Sequence, residues 1–99
     1  FGLMAEKDGA MVGITHFMFR PSTWAPKDYC YLEDLFVDPT VRGGGAGRAL
    51  ISRVIEVAKE HGAGRVYWTT KESNSQARIL YDSFTKVSEF VQYRFPLNP

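Results

Sequence analysis

The sequence has little of what disulfide-stabilised, metal-binding, nucleic-acid-binding or membrane proteins need. Its one cysteine, Cys30, excludes an intrachain disulfide framework and a multi-cysteine zinc site. Its two histidines, His16 and His61, lack metal-ligand spacing, so we expect no metal. A net charge of +1 argues against a strongly basic nucleic-acid module. No apolar run approaches the roughly 18 to 20 residues of a membrane span, so we expect no membrane partner.

A starting methionine is also lacking, since the chain begins Phe1-Gly2-Leu3. No charged segment with a cleavage site is visible either. We therefore expect that an N-terminal part is missing from the sequence. The 44% hydrophobic and 23% charged residues are typical of a soluble globular chain. With its single cysteine, this composition leads us to expect a cytoplasmic protein.

The hydrophobic pattern predicts alternating strands and helices. Asp8-Gly9 predicts the turn of a hairpin. Residues 29–37 form a nearly continuous apolar run, which predicts a central strand buried on both faces. Beyond it we expect a helix ending near Gly62, a strand over 65–70, a helix capped by Asn74 or Ser75, and a strand over 90–95. This order predicts an α/β fold with a mixed sheet.

A glycine cluster, residues 42–48, joins that central strand to the first helix. Its N–H groups and the helix N-terminus together favour a phosphate or pyrophosphate ligand, although a purely structural turn is an equal alternative on the glycines alone. A Walker loop is excluded because Arg48 and Ala49 follow Gly47 in place of Lys and Ser or Thr. A dinucleotide fingerprint fails because Arg48 or Leu50 stands where it needs a small residue.

The motif Arg42-x-x-Gly45-x-Gly47 resembles the acyl-coenzyme A loop of the GNAT acetyltransferase superfamily. Three other segments are similar to the family's fourth strand, its second signature and its closing strand: Tyr31 to Val37 followed by Asp38-Pro39, Asn74 with Ala77-Arg78-x-x-Tyr81, and residues 90–97. The resemblance extends from about residue 3 to the end.

The resemblance implies a mixed, mostly antiparallel sheet of the acyl-CoA N-acyltransferase type. It treats residues 1–99 as the C-terminal, coenzyme-binding portion of an acetyltransferase domain, without the family's N-terminal strand and first two helices. Acetyl-CoA is the implied co-substrate. Many members of the family dimerise, so a homodimer is one expected partner arrangement.

The resemblance also implies a site. Coenzyme contacts are expected from Leu35, Phe36, Val37, Arg42, Gly43, Gly44, Gly45, Ala46, Gly47, Arg48, Asn74, Ala77 and Tyr81. Tyr81 is the expected acid for the leaving thiolate, and Glu33 the expected base for the acceptor amine. The structural alternatives are a packed aromatic for Tyr81, a helix cap for Asn74 and a solvated acid for Glu33. Because neighbouring strand residues face opposite ways, we expect only one of Glu33 and Asp34 to line the acceptor site.

The predicted function is transfer of an acetyl group from acetyl-CoA to a primary amine of a small molecule, by direct transfer. The segment from Tyr31 to Val37 is similar to the diamine (spermidine/spermine) acetyltransferases. The acceptor is therefore expected to be a diamine, a polyamine or an amino-acid-like amine. The alternatives are a non-catalytic acyl-CoA-binding module and a protein N-acetyltransferase, and a nucleotide-phosphate binder is a poorer third.

Overall fold

A computed structural model describes residues 1–22, 26–41 and 45–97. They form two units, Phe1–Thr69 and Thr70–Pro99. The first unit holds a four-stranded sheet and a long helix, and the second holds a short helix.

The sheet of the first unit has the strand order β1-β2-β3-β4. The strands are β1 (Gly2–Lys7), β2 (Ala10–Arg20), β3 (Tyr29–Val37) and β4 (Val66–Tyr67). The first three pair antiparallel, and β4 pairs parallel with β3. The prediction of a mixed, mostly antiparallel sheet is confirmed. The predicted hairpin turn is also confirmed, since Asp8 and Gly9 have φ of 54° and 81°, as a type I′ turn needs.

A β-bulge interrupts the pairing of β2 with β3. His16 pairs with Asp34, and the next residue, Phe17, pairs with Leu32, so Glu33 has no partner on β2. Cross-strand partners share a face of the sheet. Leu32 therefore lies on the same face as Leu35, three residues further on. Two acidic neighbours are accommodated because the bulge breaks the regular alternation at this point.

The core lies between this face and helix α1 (Ala46–His61). It consists of Val12, Phe17, Cys30 and Leu32 from the strands and of Leu50, Ile51, Val54 and Ala58 from the helix. Cys30 is fully buried, as expected of a small hydrophobic residue. The helix ends at Gly62, whose φ of 80° places it in the left-handed region typical of a C-terminal glycine.

The opposite face of the sheet carries exposed apolar side chains. Met4, Met18 and Phe36 are 57%, 37% and 55% exposed. The prediction that β3 is buried on both faces is therefore wrong within the described residues. The reason is that α1, the one long helix of the described first unit, covers a single face, so only alternate side chains of β3 enter the core.

The second unit contains helix α2 (Ser75–Asp82), which begins where the sequence predicts. The predicted strand over 90–95 is wrong, because the described residues 85–97 contain no strand and Phe90, Tyr93 and Phe95 are exposed. The predicted strand over 65–70 shortens to Val66–Tyr67. Apolar composition alone does not make a strand, since its backbone groups need a neighbouring strand for hydrogen bonding.

Candidate functional site

The exposed edge of β3 is the first feature of the site. β4 pairs with β3 only at Cys30 and Tyr31. Beyond Tyr31, the described residues place no strand against this edge as far as Val37. Backbone groups of the predicted coenzyme residues Leu35, Phe36 and Val37 therefore face an open slot. An extended ligand with amide groups is able to replace the missing strand there.

The N-terminus of α1 is the second feature. Gly45 precedes the helix with a φ of 85°, which favours glycine, and no side chain of the described residues caps this end of the helix. The first turn, which includes Ala46, Gly47 and Arg48, carries no acidic residue. Its N–H groups and the positive end of the helix dipole suit an anion. The other predicted loop residues, Arg42, Gly43 and Gly44, lie outside the described residues.

A turn at Asp38 connects these two features. Its Oδ1 accepts hydrogen bonds from the Thr40 backbone N–H at 2.9 Å and from the Thr40 hydroxyl at 2.8 Å. These two bonds lower the pKa of Asp38. The Asp38 N–H donates to the Val12 carbonyl at 2.8 Å. The path of the chain from β3 toward the glycine cluster is thereby fixed by local hydrogen bonds.

The two acids of β3 have different surroundings. Glu33 is exposed at the bulge, and none of the described residues forms a hydrogen bond or an ion pair with it. Asp34 is also exposed, but its Oδ1 lies 2.9 Å from Nδ1 of His16. The expectation that neighbouring strand residues face opposite ways therefore does not apply to Glu33 and Asp34, because Glu33 is the unpaired residue of the bulge and Asp34 follows it directly. Glu33 stays the predicted base, and Asp34 is held by a histidine.

His16 is the residue of this region that sequence reasoning missed. It lacks metal-ligand spacing and stands 18 residues before Asp34. Its proximity to Asp34 depends on the register of β2 against β3, which neither strand shows by itself. The available signal was weak: a polar residue at the centre of a strand that is otherwise mostly apolar.

The remaining predicted residues lie in the second unit. The Asn74 side chain accepts a hydrogen bond from the Ala77 N–H at 3.4 Å, so Asn74 caps α2. Tyr81 is half-buried on the same helix, and this burial raises its pKa above the ordinary value of about 10. Its phenol therefore keeps its proton throughout the neutral range. Tyr81 is thus suited to donate a hydrogen bond or a proton.

Other kinds of site find no support in the described ranges. No three His, Cys, Asp or Glu side chains there are grouped closely enough to hold a metal ion. No described helix has the length and apolar character that a bilayer span requires.

The fold matches acetyltransferases of known structure. A ribosomal-protein-alanine N-acetyltransferase from Brucella melitensis biovar Abortus superposes with a TM-score of 0.87 at 22% identity, over 97% of this chain and 70% of that one. This likeness shows that the two chains share a fold.

The sequence identifies the family. The model of the acetyltransferase (GNAT) family matches residues 1–84, so the chain belongs to that family. It is 33% identical over 86 residues to the D-amino-acid N-acetyltransferase of Saccharomyces cerevisiae, covering 87% of this chain and 53% of that protein. It is 33% identical over 76 residues to the thialysine N-epsilon-acetyltransferase of Caenorhabditis elegans, covering 77% and 47%. The chain thus spans about half the length of these curated relatives. The predicted family resemblance is confirmed.

Proposed function

We propose that the protein transfers an acetyl group from acetyl-CoA to a primary amine of a small molecule. The observation that carries the proposal is that β4 pairs with β3 only as far as Tyr31, so that no described strand covers the backbone edge of Leu35 to Val37. This edge leads through the Asp38 turn to the uncapped N-terminus of α1. A pantetheine arm has amide groups for such an edge, and a pyrophosphate suits the helix N-terminus.

The proposed chemistry is direct transfer. Glu33 takes a proton from the acceptor ammonium, directly or through water, because only the neutral amine has a lone pair for attack. The amine nitrogen then bonds to the thioester carbonyl carbon. A backbone N–H near Phe36 or Val37 stabilises the charge that develops on the carbonyl oxygen. The C–S bond breaks, its electron pair goes to sulfur, and Tyr81 supplies the proton that the thiolate gains. The nitrogen loses its second proton to solvent and Tyr81 regains one from solvent, so one proton in total is released for each acetyl group transferred.

The proposed acceptor class rests on charge and on relatives. An ammonium ion is favoured near Glu33, an exposed carboxylate at the bulge of β3. The two relatives described above are named for a D-amino acid and for thialysine. We therefore propose an amino-acid-like or diamine-like acceptor. Of the alternatives, an acyl-CoA-binding module requires the same slot without turnover.

The test combines binding and turnover on the full chain. Calorimetry measures acetyl-CoA binding, and a thiol reagent measures CoA release with thialysine, D-lysine, spermidine and a peptide with a free N-terminus. We expect saturable binding and CoA release that depends on one of the small amines. Binding without release across the panel supports the non-catalytic module, and release only with the peptide supports a protein N-acetyltransferase. Absence of binding contradicts both the proposal and the module.

A further inference from the structure

His16 and Asp34 form a histidine–carboxylate pair across β2 and β3. Nδ1 of His16 lies 2.9 Å from Oδ1 of Asp34, and the His16 backbone N–H donates to the same oxygen at 3.1 Å. The carbonyl of Asp34 in turn accepts a hydrogen bond from the hydroxyl of the buried Thr15 at 2.6 Å. Both the side chain and the backbone of Asp34 are therefore held in place.

This contact selects one form of the neutral imidazole. A carboxylate accepts hydrogen bonds, so it favours the tautomer that carries its proton on Nδ1. Nε2 is then the ring's acceptor atom. Among the described residues, no hydrogen-bond partner reaches Nε2. A neutral imidazole with a fixed Nδ1–H and an open Nε2 is the form of histidine that acts as a general base.

Access to Nε2 depends on a glycine. The residue of β1 that pairs with His16 is Gly2, and a Cβ there would lie 3.5 Å from Cδ2 and 3.9 Å from Nε2 of the ring. Because Gly2 has no side chain, this edge of the ring is uncovered. The side chain of His16 is accordingly 53% exposed.

The pair lies among apolar side chains of the sheet. On the face opposite α1, apolar side chains flank the pair on both sides, namely Ile14 and Phe36 on one side and Met18 and Tyr31 on the other. Gly2 of β1 adds no charge, and within the described ranges the charged side chain that contacts His16 is that of Asp34. Asp34 directly precedes the segment from Leu35 to Val37. A polar pair within an exposed apolar surface is typical of a site for a small molecule.

Building on the proposed acetyl transfer, we propose that His16, oriented by Asp34, is a second proton acceptor for the amine, beside Glu33. Glu33 takes the first proton of the acceptor ammonium, and the freed lone pair forms the C–N bond to the acetyl carbon. Nε2 takes the nitrogen's second proton as the C–S bond breaks toward sulfur and Tyr81 protonates the thiolate. Glu33 and His16 return their two protons to solvent and Tyr81 regains one, so one proton is released for each acetyl group transferred.

The test uses His16→Gln, which removes the basic nitrogen and keeps a polar side chain. The pH dependence of kcat/KM is measured by CoA release with the fastest amine of the panel. We expect kcat/KM to fall on the order of 10²-fold and the shape of its pH profile to change, because one general base contributes about that factor. Asp34→Asn is expected to give a smaller fall. Added imidazole is expected to restore part of the rate of His16→Ala, which a purely structural role of His16 does not predict.

A matched control exists in the same chain. Nε2 of His61 lies 3.3 Å from Oδ2 of Asp28, and its ring stacks on Phe19 with centroids 3.7 Å apart. His61→Gln removes this similar pair, and we expect kcat/KM to change less than about twofold. If the wild type turns over and His16→Gln keeps its rate and pH profile while remaining folded by circular dichroism, the role of His16 is overturned and the proposed function stands. If the wild type releases no CoA with any amine, both are overturned.

Discussion

The close packing around Gly13, between α1 and the sheet, predicts the effect of adding one methyl group. Gly13 pairs with Val37 in the buried face of β2. A Cβ at Gly13 would lie 3.1 Å from the Leu50 Cδ1 and 3.1 Å from the Phe36 carbonyl oxygen. The end of the Leu50 side chain is able to move aside. The carbonyl belongs to the sheet backbone, so Gly13→Ala must push β3 outward at the predicted coenzyme segment.

The expected change in the free energy of unfolding is the difference between the stabilisation that the added methyl group gives and the strain that it causes. Replacing glycine by alanine gains about 0.4 to 1 kcal/mol from the unfolded chain, and burying the methyl gains about 0.8 kcal/mol. Overpacking a tight core costs about 1 to 3 kcal/mol, and the upper part of this range applies because a backbone atom is the obstacle. We expect a net loss of about 1 kcal/mol. In a chain of this size, that corresponds to a fall in Tm of roughly 4 to 8 °C.

Thermal unfolding followed by circular dichroism measures this change, and Gly2→Ala is its control. At Gly2 the nearest contact of an added Cβ is 3.5 Å, an ordinary van der Waals distance, so we expect Tm to stay or rise slightly. We also expect Gly13→Ala, but not Gly2→Ala, to bind acetyl-CoA more weakly than the wild type does. A Tm for Gly13→Ala equal to or above that of the wild type would refute the reasoning, because β3 would then yield without cost.

Four further predictions concern single residues. Tyr81→Phe should lower kcat on the order of 10²-fold with little change in the Kd of acetyl-CoA, and equal kcat values would remove Tyr81 as the acid. Glu33→Gln should change the pH–rate profile, and an unchanged profile would remove Glu33 as a base. Asn74→Ala should lower the free energy of unfolding by about 0.5 to 2 kcal/mol, whereas Asn74→Ser, which keeps a capping side chain, should retain the wild-type value. Equal Tm values for the two variants would contradict the capping role. Burial raises the pKa of the Cys30 thiol, because the folded state favours the neutral form. The stability that this preference contributes is complete below about pH 8.5 and is lost as pH rises through the raised pKa. Cys30→Ala should therefore show a shallower alkaline decline in Tm than the wild type, and parallel declines would count against this.

Features set by local chemistry were predictable from the sequence. The left-handed conformations of Asp8 and Gly9, the glycine after α1 and the Asn74 cap each depend on a few adjacent residues. The bounds of β3 were also predictable, because polar and proline residues delimit its apolar run. The family resemblance has the same basis, since its motifs are short and their spacing is visible in the chain.

Features that depend on distant neighbours were not predictable. The bulge at Glu33 and the contact of His16 with Asp34 exist only in one register of β2 against β3, and strand sequences specify register weakly. Residues 90–95 have the composition of a strand, but the described chain offers them no hydrogen-bonded neighbour. The exposed face of β3 was not predictable for a related reason. An apolar run indicates that burial of its side chains is favourable, but it does not show which element would cover them.

The bulge of β3 also affects which sequence changes the strand is able to accept. Cys30 and Leu32 enter the core in one phase of the strand, and Leu35 and Val37 in the other, with Glu33 as the residue that changes the phase. Deleting that single position would leave Leu32, Asp34 and Leu35 opposite Phe17, His16 and Thr15 in regular alternation, so we expect a shortened strand to keep the core and lose the bulge. Replacing its side chain requires no repacking of the core. Position 33 is therefore free to vary with the chemistry of the acceptor while the fold stays the same.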